Sequence, residues 1–207
     1  MSRQIVRRLL KTNYVVLGDG ITEQYYLQHL KWLKNYKYAI RPSLFAGITI
    51  ETAESIIDDL LTGGCDQIIY FTDYDTIVNQ NKVDEFERLK TKYSRYEEVL
   101  ICESMPSIEY WFLLHYQKTT REFRNAGEVC RFLKKHLKDY SKKGDYLKNA
   151  KWVEILCVDG KLEKAIRNSE SVLKAKEKEV GSHFPFSKNH LAFEYFKKQK
   201  QVKDISK

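Results

Sequence analysis

Two uninterrupted apolar runs, Gln67–Thr72 (QIIYFT) and Glu98–Cys102 (EVLIC), constrain the fold more than any other feature of the chain. A strand with one wet face alternates apolar and polar residues, whereas a continuous run belongs to a strand covered on both faces. A shorter β-branched run, Tyr14–Leu17, stops at the turn Gly18-Asp19-Gly20. Between these runs the period becomes helical. Thr22–Tyr36 carries apolar residues at Tyr25, Tyr26, Leu30 and Leu33, with Thr22 placed as an N-cap. Glu51–Leu61 is amphipathic and stops at Gly63-Gly64, and Lys82–Tyr93 reads as a helix. Tyr38–Leu44 is a further strand, which Pro42 assigns to a sheet edge. The order β-α-β-α-β-α-β predicts an α/β fold, a mostly parallel sheet flanked by helices. In such sheets, functional groups gather beyond the carboxyl ends of the strands.

The pattern changes after His115. Asn125–Leu137, Gly160–Val180 and Lys188–Phe196 have helical spacing, while Trp152–Val158 fits a helix or a strand. Residues 1–118 hold 14 Lys+Arg against 16 Asp+Glu, and residues 119–207 hold 22 against 12, so the second part supplies all of the net charge of +8. The expected organisation is an α/β core over 13–118, a basic, mainly helical extension packed on it over 119–198, and a frayed tail over 199–207. A basic surface attracts polyanions, which makes nucleic acid one partner class; a solvated lysine-rich helical region is the plainer reading. No apolar run reaches the roughly 18 residues of a membrane span. The basic start of the chain meets Asp19 rather than a small-residue cleavage site, so no signal peptide is expected. Cys65, Cys102, Cys130 and Cys157 form no CxxC pair or Cys/His cluster, which suits reduced thiols in a cytoplasmic protein.

Carboxylates stand at three strand ends. Asp19 follows the first, with Glu23 one helical turn later; Asp73 and Asp75 follow the buried run of the third; Glu103, and then Glu109, follow the fourth. Like charges that converge repel unless a cation lies among them, and hard oxygen donors suit Mg2+ or Mn2+. In an extended strand residues i and i+2 share a side, so Asp73 and Asp75 are expected to reach one metal or to bridge two. A solvated loop after a strand gives the same spacing, and Asp19 and Glu23 also suit a turn and a helix start. Tyr110–Leu114 reads as a buried helix between Glu109 and His115, with His115 expected to serve packing.

These residues carry a resemblance. Asp19-Gly20-Ile21-Thr22-Glu23 resembles the E-G-x-T-E turn of TOPRIM domains in the overcoming-lysogenization-defect and RloB-like groups. Asp73-Tyr74-Asp75 resembles the TOPRIM D-x-D. The segment Ser104–His115 (SMPSIEYWFLLH) is similar to the long RloB-like S-N-P-x-F-E-x-W-x-L-L-H motif, with Met105 in the place of the asparagine. Tyr140-Ser141-Lys142-Lys143 is similar to the family's Y-x-K stretch, and Phe184-Pro185-Phe186-Ser187 loosely resembles its late N-P-x-T element. The first three motifs cover about residues 13–116.

The resemblance implies a Rossmann-like TOPRIM core and a metal-dependent nuclease acting on RNA or DNA. It further implies a place in bacterial anti-phage defence beside an ATPase partner, RloA-like or SMC-like. Carried over, Asp73 and Asp75 are ligands for Mg2+ or Mn2+. Asp19 takes the place of the general acid/base glutamate and helps to hold metal, and Glu23 and Glu109 are further catalytic acids. Lys142 and Lys143 are candidate phosphate contacts, with surface lysines as the plainer reading. Asp19 is one methylene shorter than glutamate, and misplacement by about 1 Å can lower a rate about 10²-fold. The alternative is therefore a catalytically weakened sensor or interaction subunit of an ATPase complex. The sequence holds no P-loop, so any ATP dependence is expected from the partner. A homodimer is compatible with the sequence.

Overall fold

The apolar runs become the centre of one sheet in the computed structural model, which describes residues 13–43, 47–178 and 185–204. Strand β1 (Tyr14–Gly18) leads into α1 (Ile21–Lys34), and edge strand β2 (Ala39–Arg41) ends at Pro42. Helix α2 (Ile50–Thr62) precedes β3 (Gln67–Asp73). Two helices follow, α3 (Tyr74–Asn79) and α4 (Val83–Tyr93), then β4 (Val99–Met105) and α5 (Ile108–Leu114). The second part supplies α6 (Ala126–Leu133), α7 (Gly144–Leu147), α8 (Lys151–Cys157) and α9 (Lys161–Lys178). It closes with β5 (Phe186–Ser187) and α10 (Asn189–Asp204).

The strand order is β2-β1-β3-β4-β5. The first four strands run parallel, and β5 pairs antiparallel with Ser104 and Met105. This is a Rossmann-like α/β sheet with helices on both faces. On one face Val15, Leu17, Ile68 and Tyr70 meet Ile57 of α2 and Phe86 and Leu89 of α4. On the other, Val16, Ile69, Phe71 and Cys102 share a core with Tyr26, Trp111, Trp152 and Phe193. The basic part therefore completes the core of the sheet.

Helix α5 is buried all round, which explains its unbroken apolar run. The Trp111 Nε1–H donates to Tyr26 Oη at 2.8 Å, and its ring stacks on Phe193 at 5.4 Å. His115 is fully buried with Nδ1 3.0 Å from the Trp111 carbonyl, and burial lowers its pKa to about 4, in keeping with a packing role.

Several elements differ from the sequence expectation. Thr22 is not the N-cap: Gly20 holds that position in extended conformation, and Thr22 is buried inside the first turn. Trp152–Val158 resolves as α8. Helix α10 runs to Asp204, through the start of the expected tail. Leu44, Val180, Phe184 and residues 205–207 lie outside the described residues. No described helix is long and apolar enough to cross a membrane.

Candidate active site

The register places Gly18 opposite Phe71 and Asp73 opposite Ser104, so β1, β3 and β4 end at nearly one level. Asp19, just beyond β1, therefore lies beside Asp73 at the end of β3. The Thr72 hydroxyl and the Asp73 backbone N–H both donate to Asp19 Oδ2, the second at 3.3 Å. Asp73 Oδ1 accepts from the Ile108 backbone N–H at 2.7 Å, where α5 begins. Donors thus fix one oxygen of each aspartate, and both carboxylates line the cavity.

Glu23 joins them from the first turn of α1. Its carboxylate folds over Gly20 so closely that a Cβ there would lie 2.5 Å from Oε2. Gly18 gives the same kind of room, since a Cβ there would come 2.9 Å from Glu23 Cβ. Asp19, Glu23 and Asp73 line one cavity of about 480 Å³, with Thr49, Gln80 and Lys142 among its walls. Burial pushes the Asp19 carboxyl up to about 6, against the hydrogen bonds from Thr72 and Asp73. Burial, then the charges of Asp19 and Glu109, push Glu23 up to about 8. Burial raises Asp73 well above the carboxylate range, with Glu23 and Asp19 adding to it.

Behind the cavity, Glu109 is fully buried with both oxygens engaged. The Ser107 hydroxyl donates to Oε2 at 2.6 Å, and the Tyr140 hydroxyl donates to Oε1 at 2.7 Å. Lys142 Nζ lies 3.0 Å from Oε1, its side chain still 47% exposed. Burial opposes the Lys142 charge, but Glu109 and Asp73 outweigh it and raise its pKa. Glu109 is thus a positioning residue that aims Lys142 into the cavity.

A family model for RloB-like proteins matches residues 14–195, from β1 into α10. The chain belongs to the RloB-like family. Comparisons with curated proteins and with solved structures returned no match.

Not every expected site residue of this RloB-like chain gathers here. Asp75 does not extend β3: the chain turns into α3 directly after Asp73. Its carboxylate accepts from the Ala126 backbone N–H at the start of α6, and it does not line the cavity. The strand ends between Asp73 and Asp75, so strand spacing does not give them a shared side, but the Asp75 charge still acts on Asp19 and feels Glu109 and Lys142. Lys143 also stays off the cavity, exposed at the start of α7. Glu103 lies within β4, paired with Thr72, and its carboxylate meets Lys188 and Lys90 instead. The sequence reading missed Thr72, Ser107 and Tyr140 as site residues, although Tyr140 opens the Y-x-K stretch.

Among the described residues, no three His, Cys, Asp or Glu side chains are arranged to hold a metal ion outright. Asp19 and Asp73 nevertheless fit a small hard cation. Mg2+ keeps several waters and is held by one or two carboxylates together with substrate phosphate, rather than by an all-protein cage.

Proposed function

We propose that this RloB-like protein is a Mg2+- or Mn2+-dependent nuclease of the TOPRIM type, hydrolysing phosphodiester bonds of RNA or DNA. The observation that carries the reading is the pair of neighbouring carboxylates, Asp19 and Asp73, each held by donors on one oxygen, in a cavity that Lys142 also lines. Asp19 and Asp73 would hold the cation. A divalent ion there supplies charge neutralisation for a phosphate and a more acidic bound water. Glu23, folded over Gly20, is the carboxyl placed to hold or move a proton at the cavity wall. Lys142, aimed by Glu109, offsets negative charge that develops on the phosphate. The basic second part holds the nucleic-acid backbone. Action with an ATPase partner in anti-phage defence rests on the family resemblance alone.

The test is cleavage of transfer RNA, total RNA, plasmid and single-stranded DNA in Mg2+ and in Mn2+. Wild type is expected to cut one of these classes, and Asp73→Asn to lose at least about 10²-fold. If wild type neither cuts, with or without the neighbouring ATPase, nor binds either ion in calorimetry, the protein is an interaction subunit instead.

A further inference from the structure

Glu103 leads to a second site. It is 3% exposed and lies in a cleft of about 400 Å³ whose other walls are Tyr74, Leu173 and Phe186, the cations Lys90, Lys176 and Lys188, and the exposed carboxylate Glu177. Lys188 Nζ lies 2.5 Å from Glu103 Oε1, and Lys90 Nζ lies 3.6 Å from Oε2 and 2.6 Å from Glu87. Lys176 differs from these two. It makes no ion pair among the described residues, and its ammonium sits 3.6 Å from the centroid of the Phe186 ring. Burial lowers its pKa, and the neighbouring Lys188 and Lys90 charges act the same way against Glu103. An ammonium held half-buried among other cations, on an aromatic face, gains from an incoming anion.

The cleft is close to the carboxylate cavity. Tyr74 follows Asp73 directly, so the two recesses flank the first turn of α3. Glu103 pairs with Thr72, which donates to Asp19. Strands lie about 4.8 Å apart, so the cleft is roughly 10 Å from Asp19, a short reach along a polynucleotide.

We propose that Lys176, with Lys90 and Lys188, binds a backbone phosphate of the nucleic-acid strand whose neighbouring phosphodiester enters the carboxylate cavity. Glu103 keeps the three ammonium groups together when no strand is bound. Tyr74, packed edge-on against Phe86, forms the cleft wall nearest the carboxylate cavity. This rests on the nuclease reading above, but its test does not need cleavage.

Binding of labelled single-stranded RNA and DNA is measured by fluorescence anisotropy across a salt series, without divalent metal. Lys176→Gln is expected to weaken binding about threefold and to reduce the salt slope by about 0.7, the loss of one phosphate contact. Lys176→Arg is expected to restore both. Lys174→Gln, on the same helix but paired with Glu170, is expected to change neither. Lys90→Gln serves as the second variant if melting shows that Lys176→Gln does not fold. Equal losses in the Lys176 and Lys174 variants mean a diffuse basic surface and overturn the proposal. So does an unchanged slope in Lys176→Gln, or the absence of any wild-type binding. Inorganic phosphate that displaces the strand at equal phosphate concentration makes the cleft a free-anion site and overturns the strand assignment. Lys176-dependent binding by a protein that neither cuts, with or without the ATPase, nor binds Mg2+ or Mn2+ sinks the nuclease reading and leaves the phosphate contact standing.

Discussion

Tyr140 and Gly20 carry two consequences at the scale of single residues. The Tyr140 hydroxyl is one of two neutral donors on a buried carboxylate, and hydrogen bonds to charged groups are worth about 1.5–3 kcal/mol. Tyr140→Phe is therefore expected to destabilise by about 2 kcal/mol in urea unfolding; a change near zero would mean that Lys142 and Ser107 satisfy Glu109 alone. Gly20 is extended, a conformation that alanine adopts freely, so Gly20→Ala brings only the contact with Glu23. Stability should stay within about 0.5 kcal/mol while cleavage falls about 10²-fold. Full activity in this variant would remove Glu23 from the machinery. Asp19, Glu23 and Asp73 were legible in the sequence because charged residues at strand ends stand out from apolar runs. Thr72, Ser107 and Tyr140 were not, because a hydroxyl has no pattern of its own and Tyr140 meets Glu109 across 31 positions.

At the scale of elements, what showed in the sequence was burial on both sides. Strand β3 is covered on both faces and α5 all round, so each left a continuous apolar run. Helix α3 has six residues and β5 has two, too few for a period to register. Missing α3 is what gave Asp75 a strand geometry it does not have. The long motif around α5 has a packing consequence that can be measured. Trp111 is fully buried, donates to Tyr26 and stacks on Phe193, and so joins α5 to α1 and α10. Trp111→Ala is expected to cost about 3–5 kcal/mol, and Tyr26→Phe, which leaves the indole N–H unpaired, about 1–3 kcal/mol. Smaller effects in both variants would show that α5 is held by its other neighbours.

For the whole molecule, the acids at the cavity and the buried histidines give opposite pH dependences. Asp19 and Glu23 have folded values of about 6 and about 8, above their unfolded values near 4. Each binds its proton more tightly when folded, so its contribution is complete below the unfolded value and is lost as pH rises through the folded one. His115 is lowered to about 4, and burial lowers His190 as well, so their contribution is lost as pH falls below about 6.5. The two effects oppose each other in acid. From pH 6.5 upward each of these histidines regains only about 0.4 kcal/mol, so the acids set the sign of the change. Metal-free protein is therefore expected to lose about 1–2 kcal/mol between about pH 6.5 and 8 as Glu23 gives up its proton. A divalent cation competes with protons for these oxygens, so Mg2+ or Mn2+ should raise the melting temperature more at pH 8 than at pH 6.5. Melting curves with chelator and with each ion at the two pH values check this. An equal metal shift at both would place the ion away from the carboxylates, and a flat metal-free profile would mean that burial and the neighbouring acids do not raise Glu23.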